Sequence, residues 1–194
     1  MVFVHHRDAL DHLDRLRALQ GIACVRFEGS LSGPDKDAVI ATFRDQVPVL
    51  LSTESGGEGR NVQFCNTLIN FDLPWNPMAI EQRIGRIHRI GQEREVFIFN
   101  LVTSGTLEDE VLRILDEKIN MFELVVGEID AILGELDEQQ DFSSLVFDAW
   151  VATTAQGRNA AFSQIGERMV QAKRQYEAVK QLDDELFGEE FETA

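Results

Sequence analysis

Residues 76 to 92 read NPMAIEQRIGRIHRIGQ, and within them Gln82, Arg86 and Arg89 recur at the helical spacing of i, i+4, i+7. Two arginines a turn apart beside a glutamine present planar, permanently charged forks, a geometry suited to phosphate oxygens. Ile80, Ile84 and Ile87 repeat the same spacing roughly half a turn away, so one face is predicted to enter a core and the other to be aimed outward. Asn76 is a candidate cap for this helix, and Pro77 suits its first position, where a missing N–H costs nothing. The competing reading is an ordinary amphipathic helix with a solvated basic face.

The elements that must position this helix come before and after it. Val2 to His5, Ile22 to Phe27, Val47 to Leu51, Thr67 to Phe71 and Val96 to Val102 are short apolar runs with the character of buried strands. Between the first three lie a helical pattern through Leu10, Leu13, Leu16 and Leu19 that stops at Gly21, and a second one beginning at Pro34. Strands alternating with helices predict right-handed crossovers and an α/β fold with a mainly parallel sheet, in which ligands gather at the carboxyl ends of the strands. The loop from Ser52 to Asn61 falls at such an end. Gly57 and Gly59 permit close backbone approach, and Ser52 and Thr53 carry hydroxyls able to meet phosphates. A glycine-rich loop after a strand is equally compatible with a plain tight connection.

In order along the chain, these segments resemble the motifs of superfamily 2 helicases of the Swi/Snf branch. Gln82, Gly85, Arg86 and Arg89, followed by Ile90, Gly91 and Gln92, match the final motif, Gln-x-x-Gly-Arg-x-x-Arg with its Swi/Snf ending. Ser52 to Asn61 is similar to the fifth motif, and Asp72 to Pro77 to the Asp-x-x-Trp-Asn-Pro signature of the branch. Val2 to Arg7 looks like the strand of the fourth motif, and Arg26 to Gly29 like the strand and turn after it. The likeness covers residues 2 to 103. It implies a RecA-like second lobe, with Arg86 and Arg89 reaching across a cleft to stabilise charge on the transferring phosphoryl group. It also implies nucleotide-side roles for Gln82, Gly85, Gly57 and Gly59, and DNA-backbone contacts from Ser52, Thr53, Arg60 and Asn61. Two positions depart from the pattern: Lys36 and Asp37 stand where many relatives have an arginine, and Arg60 replaces a residue that is commonly apolar.

Nucleotide hydrolysis of this kind also needs a lysine-bearing phosphate loop and an acidic magnesium site. The four lysines are Lys36, Lys118, Lys173 and Lys180, and none follows a glycine or precedes a serine or threonine. Ile114-Leu115-Asp116-Glu117 imitates an acidic strand-end motif but lies inside a helical apolar pattern, so it reads as a solvated acidic face. The resemblance therefore implies ATP with Mg2+ bound mainly by a first RecA-like lobe, in cis or in trans, and duplex DNA as the track. The expectation is half of a DNA-dependent ATPase, truncated or split at Met1 and inert alone. The alternative is a freestanding interaction or regulatory module derived from such a lobe.

Composition sets the outer bounds. At 194 residues the chain can bury one substantial core with a smaller appendage, expected as a lobe at 1–105 and a helical acidic extension at 106–194. No apolar run reaches the roughly 18 residues of a membrane span, so no membrane partner is expected. A cytoplasmic protein follows, associated with the nucleoid in a prokaryote or nuclear in a eukaryote. Cys24 and Cys65 stand singly among apolar residues and read as buried thiols, and the four histidines show no metal-ligand spacing. His88 is expected to pack or hydrogen-bond near the cleft.

The formal charge of −16 divides into −2 over residues 1–103 and −14 over 104–194, which leaves the first part free to present a basic surface. From Leu107 the apolar residues Val111, Leu115, Ile119, Phe122, Val126, Ile129, Leu133 and Leu136 recur in steps of three or four, predicting a long helix or one arm of a hairpin, with breaks at Gly127 and Gly134. A polar turn at Gln139 to Ser144, a short helix from Leu145 to Trp150, a polar break at Gln156 to Asn159 and a last helix from Arg168 to Phe187 complete the pattern. The closing acids, Asp183 to Glu192, read either as a solvated brace or as a DNA mimic.

Overall fold

The apolar runs of the first half form a five-stranded sheet, seen in a computed structural model that describes residues 1–54, 62–88, 92–118, 120–121, 128–134, 141–152 and 154–187, the last four without side chains. In chain order the elements are β1 (Val2–Val4), α1 (Arg7–Leu19), β2 (Cys24–Phe27), α2 (Gly33–Asp45), β3 (Val49–Thr53), β4 (Thr67–Asn70), α3 (Pro77–Ile84) and β5 (Phe97–Asn100). The sheet order is β2-β3-β1-β4-β5, and every pairing is parallel. The chain leaves β3 on one side of β1 and re-enters as β4 on the other, so β1 marks the point where the winding reverses and a crevice opens at the strand ends.

The period-two alternation of each strand assigns its side chains to two layers. Val4 and Leu51 pack with Leu10 of α1, joined by Val2, Leu13, Cys24 and Val49. On the opposite face Phe3, Phe27, Leu50 and Leu68 bury against Phe43 of α2 and against Ile87, just beyond α3. β5 closes the sheet as an edge strand, and Phe97 and Phe99 on one of its faces are exposed.

Several boundaries differ from the sequence reading for local reasons. Ile22 does not join β2 because its N–H donates to the Arg17 carbonyl (2.9 Å), closing the end of α1 beside Gly21, whose φ is +67°. Val47 likewise donates to the Thr42 carbonyl (3.1 Å), and Pro48 has no N–H to offer, so β3 starts at Val49. Cys24 and Cys65, expected to be buried, are only partly so. His5 and His6 lie beyond the end of β1, exposed, with their rings edge-on at 4.6 Å.

Compact units divide at Glu108 and Asp109. The helical pattern from Leu107, expected as a long helix or one arm of a hairpin with breaks at Gly127 and Gly134, is interrupted earlier, after Arg113. α4 (Leu107–Arg113) runs into a π-helical turn (Ile114–Lys118), and the pattern resumes as α5 (Glu128–Gly134). Residues 122–127 and 135–140, which hold Phe122, Val126, Gly127 and Leu136 of the expected helix, lie outside the described residues, as does Ile119. Ile114 and Leu115 are buried while Asp116 and Glu117 face solvent, which is the solvated acidic face read from the sequence. α6 (Phe142–Trp150) and α7 (Ala155–Phe187) follow.

The polar break expected at Gln156 to Asn159 is instead the first turn of α7. Thr154 caps it, its hydroxyl accepting from the Gly157 N–H at 3.0 Å. Phe162, Ile165, Met169 and Ala172 form its buried stripe. Further along this helix Val179 and Leu182 are both exposed. Among the described residues no helix is long and apolar enough to cross a membrane.

Candidate functional site

Helix α3 is built as its sequence requires. Asn76 caps it, Oδ1 accepting from the Met78 N–H at 2.9 Å, and Pro77 occupies the first turn. The helix ends at Ile84, short of Arg89, to which the helical spacing extends in the sequence. Gly85 closes it, and the chain continues through tighter turns in which Arg86 N donates to the Arg83 carbonyl (3.1 Å) and Ile87 N to the Ile84 carbonyl (3.0 Å). Ile80, Ile84 and Ile87 nevertheless keep their buried stripe, while Gln82 is exposed and Arg86 half-buried. Gly85 is buried, and His88, expected to pack or hydrogen-bond near the cleft, is exposed. Gln92 anchors the end of the motif through its amide, which donates to the Gln63 carbonyl at 2.8 Å and the Ile87 carbonyl at 2.9 Å.

The loop after β3 enters the described structure only at its base. Ser52 and Thr53 are buried at the strand end, the Ser52 hydroxyl donating to the Thr53 carbonyl at 2.9 Å, so they form the footing of the loop. Gly57, Gly59, Arg60 and Asn61 lie outside the described residues, as does Arg89. Of the residues read from the sequence, the structure therefore brings Gln82, Gly85 and Arg86 together at the end of α3 and places Ser52 and Thr53 at the end of β3.

Between these two groups stands a residue that the sequence reading passed over. Arg83 is only 2% exposed. Its Nη1 donates to Asn70 Oδ1 (2.9 Å) at the end of β4 and to the Asp72 carbonyl (2.8 Å). Its Nη2 donates to Glu54 Oε1 (2.7 Å), with Asp72 Oδ1 at 3.6 Å. The guanidinium also lies over the Phe3 ring of β1, 5.2 Å from its centroid. Asn70 passes the network to β5 by donating to Asn100 Oδ1 (2.7 Å), and both Asp72 carboxylate oxygens accept from the His5 N–H (2.8 and 2.7 Å). One guanidinium thus ties the carboxyl ends of β1, β3 and β4 to the last turn of α3.

A signal for Arg83 was present. It sits at i+3 from Ile80, on the apolar stripe, where a charged residue must find buried partners.

The arrangement combines a parallel sheet, a switch point at β1 and an outward Gln82/Arg86 pair at the strand ends, and comparisons with known proteins agree with it. Residues 1–91 match the helicase conserved C-terminal domain. YqhH of Bacillus subtilis, an uncharacterised ATP-dependent helicase, is 49% identical over 136 residues, covering 70% of this chain and 24% of YqhH. The RNA polymerase-associated protein RapA of Proteus mirabilis is 36% identical over 149 residues, covering 71% of this chain and 15% of RapA. The chain thus spans about a quarter or less of the length of these relatives. Among solved structures, the C-terminal part of the Fun30 ATPase domain superposes with a TM-score of 0.54 at 24% identity, over 76% of this chain and 47% of that one, which shows the RecA-like fold. Residues 1–91 are a helicase conserved C-terminal domain, and the chain belongs to the Swi/Snf type of that family.

Proposed function

We propose that residues 1–105 serve as the second RecA-like lobe of an ATP-driven duplex-DNA translocase, with residues 106–194 as a helical extension of that lobe. The observation that carries this reading is the division of the motif segment at its end: Ile80, Ile84 and Ile87 are buried, while Gln82 is exposed and Arg86 half-buried beside the carboxyl ends of a parallel sheet. A parallel α/β sheet binds its ligands at that rim.

The donor set fits one side of a nucleoside triphosphate. Arg86 and Arg89 bring guanidinium groups matched to phosphate oxygens, Gln82 brings an amide able to sense them, and Gly85, Gly57 and Gly59 allow close backbone approach. ATP with Mg2+ supplies the transferable phosphoryl group, and the lysine loop that holds it comes from a first lobe in cis or in trans. In this reading Arg86 and Arg89 neutralise charge at the phosphates and Gln82 holds the register of the helix against the nucleotide. On the DNA side, Ser52 and Thr53 support the loop through which Arg60 and Asn61 meet the duplex backbone. Such a protein works away from membranes, in the cytoplasm or on the nucleoid of a prokaryote or in the nucleus of a eukaryote.

The test joins the 194-residue chain to a first RecA-like lobe, by fusion or by mixing, and measures ATP turnover with and without duplex DNA. The expected result is DNA-stimulated turnover that Arg86→Ala lowers by about 10³-fold or more, the scale of an arginine finger. Turnover by the 194-residue chain without a first lobe, or full turnover by Arg86→Ala, would overturn the assignment. Duplex binding with no turnover in any pairing would favour the freestanding interaction module.

A further inference from the structure

We propose that the cavity between the π-helical turn and α7 is a binding site for a small phosphate- or carboxylate-bearing anion, with Lys118 and Arg174 as its cationic donors. All of its residues belong to the second unit, Asp109–Ala194. The inference does not rest on the nucleotide and DNA assignments made for the first.

Residues 104–194 carry 21 Asp+Glu against seven Lys+Arg, so a cation there has many acids within its neighbourhood. Arg113 pairs with Glu110, Lys173 with Glu177 at 3.8 Å and Lys180 with Glu128 at 2.6 Å. Arg158 lies over the Trp150 ring, 4.5 Å from its centroid, and Arg168 is engaged as well. That leaves Lys118 and Arg174, which have no ion-pair or hydrogen-bond partner among the described residues. Both line the same cavity. Two uncompensated cations meeting in so acidic a unit leave their charge available to a ligand.

The cavity has a volume of about 370 Å³, within the range of small-molecule sites, and Gly166, Glu167, Val170 and Gln171 of α7 complete its lining. Gly166, Val170 and Arg174 recur at i, i+4, i+8, so one face of α7 forms the floor. Gly166 and Arg174 are about 12 Å apart along the helix axis, with the apolar Val170 midway. Opposite stands Lys118, the last residue of the π-helical turn. A Cβ at position 166 would stand 3.3 Å from Cγ, 3.6 Å from Cε and 3.7 Å from Cδ of Lys118, so the glycine gives the lysine stem its seat on α7.

The donor set defines the ligand. An ammonium and a guanidinium match phosphate or carboxylate oxygens, the Gln171 amide donates or accepts, and the Glu167 carboxylate accepts from a hydroxyl or an amine. Glu167 forms no ion pair with either cation among the described residues, so it does not neutralise them. An excess of 14 acids over residues 104–194, 21 against seven, repels an extended polyanion such as nucleic acid far more than an ion of one or two charges. The site therefore suits a small anion.

The experiment titrates the 194-residue chain calorimetrically with glycerol 3-phosphate and with succinate, against sodium chloride at matched ionic strength. Two charge-assisted contacts set an expected dissociation constant of about 1 mM or tighter for at least one of the two. Lys118→Gln and Arg174→Gln should each weaken binding about tenfold. Gly166→Ala, which crowds the lysine stem and keeps both cations, should weaken it by a smaller factor. Lys180→Gln removes a cation already paired with Glu128 and should leave binding within about twofold. Circular dichroism and melting curves check that each variant is folded; Lys118 and Arg174 are exposed, so their replacement should leave both unchanged.

Saturable binding of one probe and not the other supports the site and assigns it to phosphate esters or to carboxylates. No saturable binding of either up to about 20 mM would overturn the proposal. So would binding that Lys118→Gln and Arg174→Gln leave unchanged, the mark of anions gathering elsewhere. If a hexaglutamate peptide binds and neither small anion does, the cavity docks an acidic chain and the small-anion assignment fails.

Discussion

Two arginines of the first unit each gather several acidic partners in opposite settings. Arg26, on β2, meets Asp11 at 2.7 Å, Glu28 at 2.8 Å and Asp14 at 3.4 Å, and its side chain is 31% exposed. Arg83, on α3, meets Glu54 and Asp72 with two further neutral acceptors, and is 2% exposed. The first network lies along α1 and β2, where water and salt share its work, and exposed pairs of this kind contribute from nothing to about 1 kcal/mol each. The second holds strand ends and a helix together where water cannot substitute. Charge pairs look alike in a list of distances; burial decides which of them specifies geometry.

Replacing both arginines by methionine breaks the comparison most directly. Arg83→Met leaves the Glu54 and Asp72 carboxylates facing each other without their cation, and breaking a buried pair in this way costs about 3–5 kcal/mol. Arg26→Met should cost about 1 kcal/mol or less. Urea denaturation of the two variants reads both values, and equal losses would remove the distinction drawn between the networks.

The neutral members of the buried network come next. Asn70 is fully buried, accepting from Arg83 and donating to Asn100. Asn70→Ala leaves both without that partner, and the cost of unsatisfied buried groups sets the expected loss at about 1–3 kcal/mol. Asn100→Ala disturbs only the outer end and should cost less. An Asn70→Ala variant as stable as the parent would mean that Arg83 repacks freely onto Asp72, and would weaken its description as a fixed tie.

The same contrast explains what the sequence disclosed. The five strands and the first three helices were legible because short apolar runs, a Gly stop at Gly21 and the Asn76–Pro77 start are local signals. Boundaries slipped where a helix-closing hydrogen bond claimed a residue of strand character, as at Ile22 and Val47. The start of α7 was missed because Gly157 and Asn159 look like a break, whereas the Thr154 cap stabilises the turn. Gln82 and Arg86 were legible as an outward pair because spacing alone fixes a face. Arg83 was not, because its meaning lies in partners 13 and 29 residues away, Asn70 and Glu54, which only the fold brings together. Its charge suggested solvent while its place on the stripe pointed inward, and place was the better guide.

A smaller effect sharpens the picture at the start of the same helix. Asn76→Ala removes the acceptor for the Met78 N–H and should cost about 1 kcal/mol. If α3 is held in place mainly by Arg83 and its apolar stripe, the cap and the network are separate supports. The double variant Asn76→Ala/Arg83→Met should then lose the sum of the single losses within about 0.5 kcal/mol. A clear departure from that sum would mean that the cap and the ion pair act as one unit.

The smallest effect concerns the exposed network and its dependence on pH. Burial pushes the Asp14 carboxyl up, but hydrogen bonds and charge from Arg17 and Arg26 outweigh it and hold the group below the usual carboxylate value. A carboxylate depressed in the folded state adds stability that is fully present above its unfolded pKa, near about 4, and is lost as pH falls through the folded value. Asp14→Asn should therefore be less stable than the parent by a constant margin from pH 5 upward, on the order of 1 kcal/mol or less, and the two should converge below about pH 4. At about 1 M salt, where the screening length falls to about 3 Å, the margin should shrink, whereas the loss caused by Arg83→Met should persist because the Arg83 guanidinium itself is shielded from the solvent ions. Melting curves of the parent, Asp14→Asn and Arg83→Met across pH and salt separate the networks. A margin for Asp14→Asn that grows as the pH falls would show that the guanidinium groups of Arg17 and Arg26 do not set the charge state of Asp14.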